Sequence, residues 1–302
     1  MRQHKGETLI LSYHRVLPKS HPEYNNMQPG MVVTDDTFRN HMKWLTKYLE
    51  IVRLADLKRE SKPSNQPKCV ITLDDGWVDN YTYAFSILKE FKIPATIFLV
   101  SNMIGTNHYF WPEKLGILLN NKITKELLTK KIKVKYGSEI INYNDLIELL
   151  KSKNDESIIE ILDEVTKEAE KTDNFLNENR QILNIEEIKN MSESGLIEYG
   201  SHTANHIRLD KVPLMQSIRE LTESKKQLES LLDTNISTFC YPNGSYTSDV
   251  VEEVSKNYDI ACTTDKGWVD TNSDMHRLKR IMLHDDISNT KSLFWGRVLE
   301  FF

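Results

Sequence analysis

The most constraining stretch of this chain is Val70-Ile71-Thr72-Leu73-Asp74-Asp75-Gly76-Trp77, an apolar run that stops at two carboxylates and a glycine. A strand buried on both faces of a parallel sheet reads as a near-continuous hydrophobic run, and its tip is where it can deliver side chains to a site. Beyond it, Ala84, Ile87, Leu88 and Phe91 share one helical face, and Pro94 opens a second apolar run from Ala95 to Val100. Strand, helix and strand in that order make a β-α-β unit. Such a unit has parallel neighbouring strands, a right-handed crossover and ligands at the carboxyl ends of its strands.

A second stretch has the same grammar. Leu196-Ile197-Glu198-Tyr199 reads as a short strand, Gly200 frees the backbone, and His202 and His206 follow four residues apart. In one helical turn or a tight loop that spacing brings both imidazoles within reach of one ion, and a carboxylate would complete a three-ligand set with a position left open. Each pattern is common by itself: Asp-Asp recurs at 35 and 285, and the chain has nine histidines. Their weight comes from both standing directly after strands.

The rest of the chain continues an α/β rhythm. Thr8 to Tyr13 is a strand running into His14, and Thr34 caps a helix whose apolar face is Phe38, Met42, Leu45 and Leu49. His41 on that helix reads as a structural side chain. Residues 103–182 interrupt the rhythm with a charged, mostly helical insertion, expected to govern substrate choice more than chemistry. It opens with Tyr109-Phe110-Trp111-Pro112, whose rings serve either packing or stacking on a sugar. The rhythm resumes with helices near 185–194 and 214–232 and strands near 237–241 and 259–263. The expectation is one α/β domain over residues 1–302, a size that α/β barrels reach as single domains. Alternation alone leaves a barrel and a doubly wound open sheet equally open.

Net charge of −5 and a pI near 6.0 argue against a nucleic-acid partner, which needs a basic face. The three cysteines, Cys69, Cys240 and Cys262, lie in or beside expected strands and read as buried free thiols in a reducing compartment. Met1 to Glu7 is polar and no apolar run approaches the roughly 20 residues of a membrane span, so a cytoplasmic location is expected. The C-terminal Leu293-Phe294-Trp295 to Phe302 is apolar at helical spacing. It packs on the barrel or touches a membrane surface.

Taken together, these residues resemble the polysaccharide deacetylases of carbohydrate esterase family 4, also called the NodB homology domain. The family's Thr-Phe-Asp-Asp-Gly motif is similar to Thr72-Leu73-Asp74-Asp75-Gly76, and its paired-histidine motif to His202-Thr203-Ala204-Asn205-His206. Its Arg-x-Pro-Tyr-Gly motif is only partly matched by Cys240-Tyr241-Pro242-Asn243-Gly244, with Cys where Arg is expected. Tyr13-His14-Arg15-Val16 resembles the start of the subgroup acting on exopolysaccharides and surface glycans. The resemblance covers roughly residues 6–102 and 183–290 and implies a distorted, incomplete (β/α) barrel of the NodB type.

The resemblance also implies roles. Asp75, His202 and His206 become metal ligands, with Zn²⁺ favoured and Co²⁺ or Ni²⁺ also fitting the donors. Asp74 becomes the general base, and the backbone N–H of Asn243 an oxyanion donor, although its Pro and Gly neighbours equally make a plain turn. Arg280 is a substitute for the missing Arg, or else an ordinary ion-pair former. His284, in a Leu-x-His-like ending, becomes the general acid, its pKa expected to be raised by Asp285 or Asp286; His14 is the competitor. Trp77 and Trp268 either wall an acetyl pocket or pack the core. The implied activity is removal of an N-acetyl group from an amino sugar of a bacterial surface glycan or its precursor, with peripheral membrane contact through a lipid-linked substrate. An O-acetyl esterase, a deformylase, and a catalytically silent carbohydrate-binding protein are the alternatives.

Overall fold

The computed structural model describes residues 4, 6–24, 27, 30–58, 66–139, 142–170 and 179–301. They form two compact units: Met1–Lys19 with Gly30–Thr106 and Arg180–Phe302, and Ser20–Pro29 with Asn107–Asn179.

The first unit is built on eight parallel strands: β1 (Thr8–Tyr13), β2 (Glu50–Ile51), β3 (Lys68–Leu73), β4 (Ala95–Leu99), β5 (Ile197–Ser201), β6 (Thr238–Cys240), β7 (Ile260–Cys262) and β8 (Ile281–Met282). Their order is β8-β1-β3-β4-β5-β6-β7, with β2 pairing the start of β3. The sheet curls into a distorted (β/α) barrel, closed imperfectly by one irregular stretch. Leu278 bridges to Cys262 on one side, and Ile281, three residues on, pairs with Leu11 on the other.

Strand alternation sorts the side chains into two layers. Leu9, Leu11, Ile71, Leu73, Ile97 and Phe239 face the surrounding helices, while Ile10, Val70, Phe98, Cys240 and Cys262 make a separate inner cluster. Counting on by two along β1, β3 and β5 carries the inner face to His14, Asp74 and His202. Period-2 geometry therefore aims these three strand-tip side chains at the mouth of the barrel.

Helices cover the outer layer. α1 (Asp35–Tyr48) starts at Thr34, whose hydroxyl accepts the Thr37 N–H, and has Asp35 and Asp36 in its first turn, where carboxylates favour the helix dipole. The helix after β3 begins as a π turn over Asn80–Ala84 and becomes α2 (Phe85–Phe91), so the helix expected from the apolar face of Ala84, Ile87, Leu88 and Phe91 is locally wider at its start. Such turns recur near functional sites.

The second unit holds α3 (Trp111–Asn120), α4 (Lys122–Tyr136), α5 (Tyr143–Lys151) and α6 (Asp155–Ala169) around its own core of Leu115, Leu128, Ile132, Leu162 and Val165. Tyr109 and Phe110 are buried and Trp111 packs on that core, which favours packing for these rings. The charged insertion expected over residues 103–182 lies partly outside the described residues.

In the first unit, α7 (Ile185–Glu193), α8 (Leu214–Leu232), α9 (Ser248–Asn257), α10 (Asp285–Ser288) and α11 (Lys291–Val298) complete the helices. Phe294 of α11 is buried against His41 and Trp44 of α1, so packing accounts for the apolar C-terminal face. Among the described residues no helix is long and apolar enough to cross a membrane.

Candidate metal centre

At the tip of β3 the chain makes an unusual turn. Asp74 continues the inward face, and by alternation Asp75 would point outward. Both Asp75 (φ 75°) and Gly76 (φ 74°) instead adopt the left-handed conformation, which turns the second carboxylate back toward the site. Gly76 is required twice over, because a Cβ there would also meet the Leu99 side chain at 2.7 Å.

His202 follows β5 directly, its N–H bonded to Leu99 O at 2.9 Å. Its Nδ1 stands 2.7 Å from Cys240 O, and a carbonyl only accepts, so Nδ1 carries the proton and Nε2 keeps its lone pair. The 202–206 segment is a loop and not a helical turn. Thr203 (φ 68°) and His206 (φ 56°) are both left-handed, and the Thr203 hydroxyl accepts the His206 N–H at 2.9 Å.

That loop is held from α8 by buried Glu220. Its carboxylate accepts the Ala204 N–H at 3.0 Å, the Asn205 N–H at 2.8 Å and the Asn205 side-chain amide at 2.8 Å. A fully bonded carboxylate of this kind fixes a strained loop that would otherwise relax.

Asp75 Oδ1 lies 3.5 Å from His202 Nε2 and 3.3 Å from His206 Nε2, and the three donor atoms fall within 4.8 Å of one another. Among the described residues buried Oδ1 receives no hydrogen bond, whereas Oδ2 accepts the Trp77 indole N–H at 3.0 Å. Burial pushes the Asp75 pKa up, but when His202 and His206 are protonated at both ring nitrogens their hydrogen bonds and charge outweigh it and hold the carboxyl well below its usual range. A carboxylate oxygen facing the lone pair of His202 Nε2 is a repulsive arrangement until a cation stands between them. The donor set therefore fits a divalent metal of the kind bound by nitrogen and oxygen.

Asp74 has a different environment. Arg280, in the closing stretch of the barrel, grips both its oxygens at 2.8 and 2.7 Å, each side chain almost wholly buried. Arg280 is itself fixed by Thr263 O at 2.9 Å and Thr72 Oγ1 at 3.0 Å, and its Nη2 lies 3.0 Å from Cys240 Sγ. Burial raises the Asp74 pKa, yet the guanidinium prevails and the net shift is downward. The Cys240 thiol stands 3.8 Å from Asp74 Oδ2, and burial pushes its pKa up, so it remains neutral.

His14 Nε2 is also 3.8 Å from Asp74 Oδ2. His284, by contrast, contacts Asp286 through Nδ1 at 3.2 Å. The Leu283 N–H bonds to Ser12 O, which sets His284 beside His14 in the register, and Asp74 N bonds to Tyr13 O, which sets His14 beside Asp74. His284, His14 and Asp74 thus occupy three successive strand tips. The expected rise in the His284 pKa is not found. Burial is the larger influence and lowers it despite Asp286 and Asp285, and burial likewise lowers that of His14.

Asn243 follows β6 in a tight turn at φ 54°, with Gly244 at φ 69° packed on Thr264. The backbone N–H of Asn243 donates to no described acceptor. Trp77 is fully buried and so walls no open pocket, and Trp268 stacks on His4 and donates to Val298 O at 2.9 Å. All three cysteines are buried and free. Glu220 and the Trp77 bond to Asp75 are the features that sequence reasoning missed: Glu220 sits mid-helix in no motif, and a tryptophan after Asp-Asp-Gly does not declare its acceptor.

Comparison with known proteins gives a consistent picture. The profile of a family described as polysaccharide deacetylase matches residues 61–262. The poly-beta-1,6-N-acetyl-D-glucosamine N-deacetylase of Staphylococcus epidermidis is 26% identical over 222 residues, covering 66% of this chain and 73% of that protein. Among solved structures, the Streptococcus pyogenes deacetylase PplD, in complex with acetate, superposes with a TM-score of 0.64 at 18% identity, covering 97% of this chain and 98% of the other. IcaB from Ammonifex degensii gives 0.59 at 18% identity, with 97% of each chain covered.

Proposed function

Because the chain belongs to the polysaccharide deacetylase family, we propose that it is a metal-dependent hydrolase that removes the N-acetyl group from an amino sugar of a bacterial surface glycan or its precursor. One observation carries this reading. The buried Oδ1 of Asp75, without a donor among the described residues, faces two imidazole nitrogens next to a second carboxylate that an arginine keeps ionised. The N-acetylglucosamine polymer named for the staphylococcal relative supports the substrate class.

Asp75, His202 and His206 hold the ion, Zn²⁺ before Co²⁺ or Ni²⁺. When bound, such an ion supplies Lewis-acid polarisation of the acyl oxygen and makes water more acidic. Asp74 accepts the proton of the attacking water. Arg280 occupies one direction on each of its oxygens, and a carboxylate has about four acceptor sites, so acceptor capacity remains. The Asn243 N–H donates to the oxygen that gains charge as water adds to the acyl carbon. His284 gives its proton to the departing amine, with His14 the alternative donor from the adjacent strand tip. Glu220 keeps the two histidines in register.

The test is acetate release, with matching free amine, from β-1,6-linked N-acetylglucosamine oligomers and their O-acetylated counterparts. Activity is expected on the N-acetyl substrate alone, lost on chelation and restored by Zn²⁺ or Co²⁺. His202→Ala should lose ion and activity together, whereas Asp74→Asn should keep the ion and lose about 10²- to 10⁴-fold in turnover. His284→Ala and His14→Ala are separated by leaving group, since only the true acid variant spares an activated aryl ester. No acetate from any N-acetylated glycan in the presence of metal would overturn the proposal.

A further inference from the structure

Resting on the metal reading above, we propose that Trp77 is a positioning residue that decides which oxygen of Asp75 faces the ion. Its indole N–H is a donor with no acceptor capacity, and when buried it must find a partner. The partner is Asp75 Oδ2, at 3.0 Å. With Oδ2 engaged, only Oδ1 is turned toward His202 and His206.

The indole is itself immobilised from three sides. The Arg15 guanidinium lies 4.3 Å from the ring centroid, and its Nε donates to Asp79 Oδ2 at 2.7 Å. Asp79 also accepts the Val16 N–H at 2.8 Å, tying the assembly to the short strand Arg15–Leu17 that follows His14. On the backbone side, Trp77 bridges Ile182, the Val78 N–H bonds to Gln181 O and the Leu183 N–H bonds to Gly76 O. Ring, arginine and carboxylate are all fully buried, so the indole cannot swing away from Asp75. Without a donor on one of its oxygens, an aspartate side chain can turn about its bonds and present either oxygen to a ligand. The hydrogen bond removes that freedom before any ion arrives, which is the part of metal affinity that outer partners of a ligand supply.

The test compares Co²⁺ affinity, by competition with a chromogenic chelator, between the wild type and Trp77→Phe, which keeps an aromatic ring over Arg15 and deletes the donor. The variant is expected to bind Co²⁺ about 10- to 100-fold more weakly, with an unfolding midpoint close to wild type in the metal-free state. Wild-type affinity in Trp77→Phe overturns this inference alone. Absence of Co²⁺ binding by the wild type overturns the metal reading and this inference with it. A second measurement leaves Trp77 intact: of the five tryptophan indole N–H signals in the wild type, that of Trp77 should shift most when Zn²⁺ is added. It is assigned by elimination with Phe at positions 44, 111, 268 and 295. An unmoved Trp77 signal during Zn²⁺ binding overturns the inference.

Discussion

The barrel mouth and the four-helix unit both carry carboxylate–cation pairs, but under opposite conditions. At the mouth, Arg280 and Asp74 are about 2–3% exposed and every guanidinium nitrogen is bonded. In the helical unit, Lys135 meets Glu160 at 2.6 Å and Lys131 meets Glu164 at 2.9 Å, all with side chains substantially in solvent. Removing water strengthens both the attraction and the penalty for leaving a charge unpaired, so a buried pair is one on which its surroundings depend. A solvated pair exchanges with water at little cost. The difference is between charges that hold a geometry and charges that keep a surface soluble.

The sharpest way to break this contrast is Arg280→Met. It leaves Asp74 buried without its counter-charge and should destabilise the barrel unit by about 3–5 kcal/mol in urea unfolding, with the double variant Arg280→Met/Asp74→Asn recovering part of the loss. A cost below about 1 kcal/mol would place the buried pair in the same class as the surface ones.

A smaller effect is expected from His41, buried in the core between Tyr13 and Phe294. Its Nε2 stands 2.8 Å from Ser288 O and so carries the proton, while Nδ1 accepts the Tyr13 hydroxyl at 3.2 Å. The neutral ring is fully bonded, and burial lowers its pKa from 6.5 to about 4. Between those values the unfolded chain binds a proton that the folded one refuses. The contribution of neutral His41 is therefore complete above about pH 6.5 and falls away as pH drops toward 4, by about 3 kcal/mol at roughly 1.4 kcal/mol per pH unit. His41→Asn should flatten that slope in unfolding measured at pH 7 and pH 5; an unchanged slope would show that His41 is not its source.

The smallest effect belongs to the helical unit. Lys135→Ala should leave the thermal midpoint unchanged within error, and adding salt should leave it so. A clear drop in midpoint would mean that the solvated pairs do structural work and would erase the comparison.

Much of the barrel was legible along the chain, because its cues are local. Apolar runs end at Asp74 and at His202, Thr34 stands before an amphipathic helix, and the β-α-β order through Val100 dictates parallel neighbours. The wide turn at Asn80–Ala84 was not legible, since an apolar face at helical spacing does not distinguish one extra residue in a turn. The loop conformation of 202–206 was left open for a like reason: a four-residue spacing suits a helix and a tight loop alike.

By itself, the sequence determined which strands carry chemistry at their tips and which residues, Asp74, Asp75, His202 and His206, stand there. Which face of each strand is the inner one, and hence that Asp74, His14 and His202 share it, came from the packed clusters of the structure. Only the tertiary structure decided that Asp75 turns back to join them, that Arg280 reaches Asp74 across 206 residues of chain, and that Glu220 and Trp77 hold the ligands. The physical reason is range. Periodicity and strand ends are properties of a few consecutive residues, whereas a buried charge selects its partner from whatever the closed barrel brings within about 3 Å, and that choice exists only after the barrel has closed.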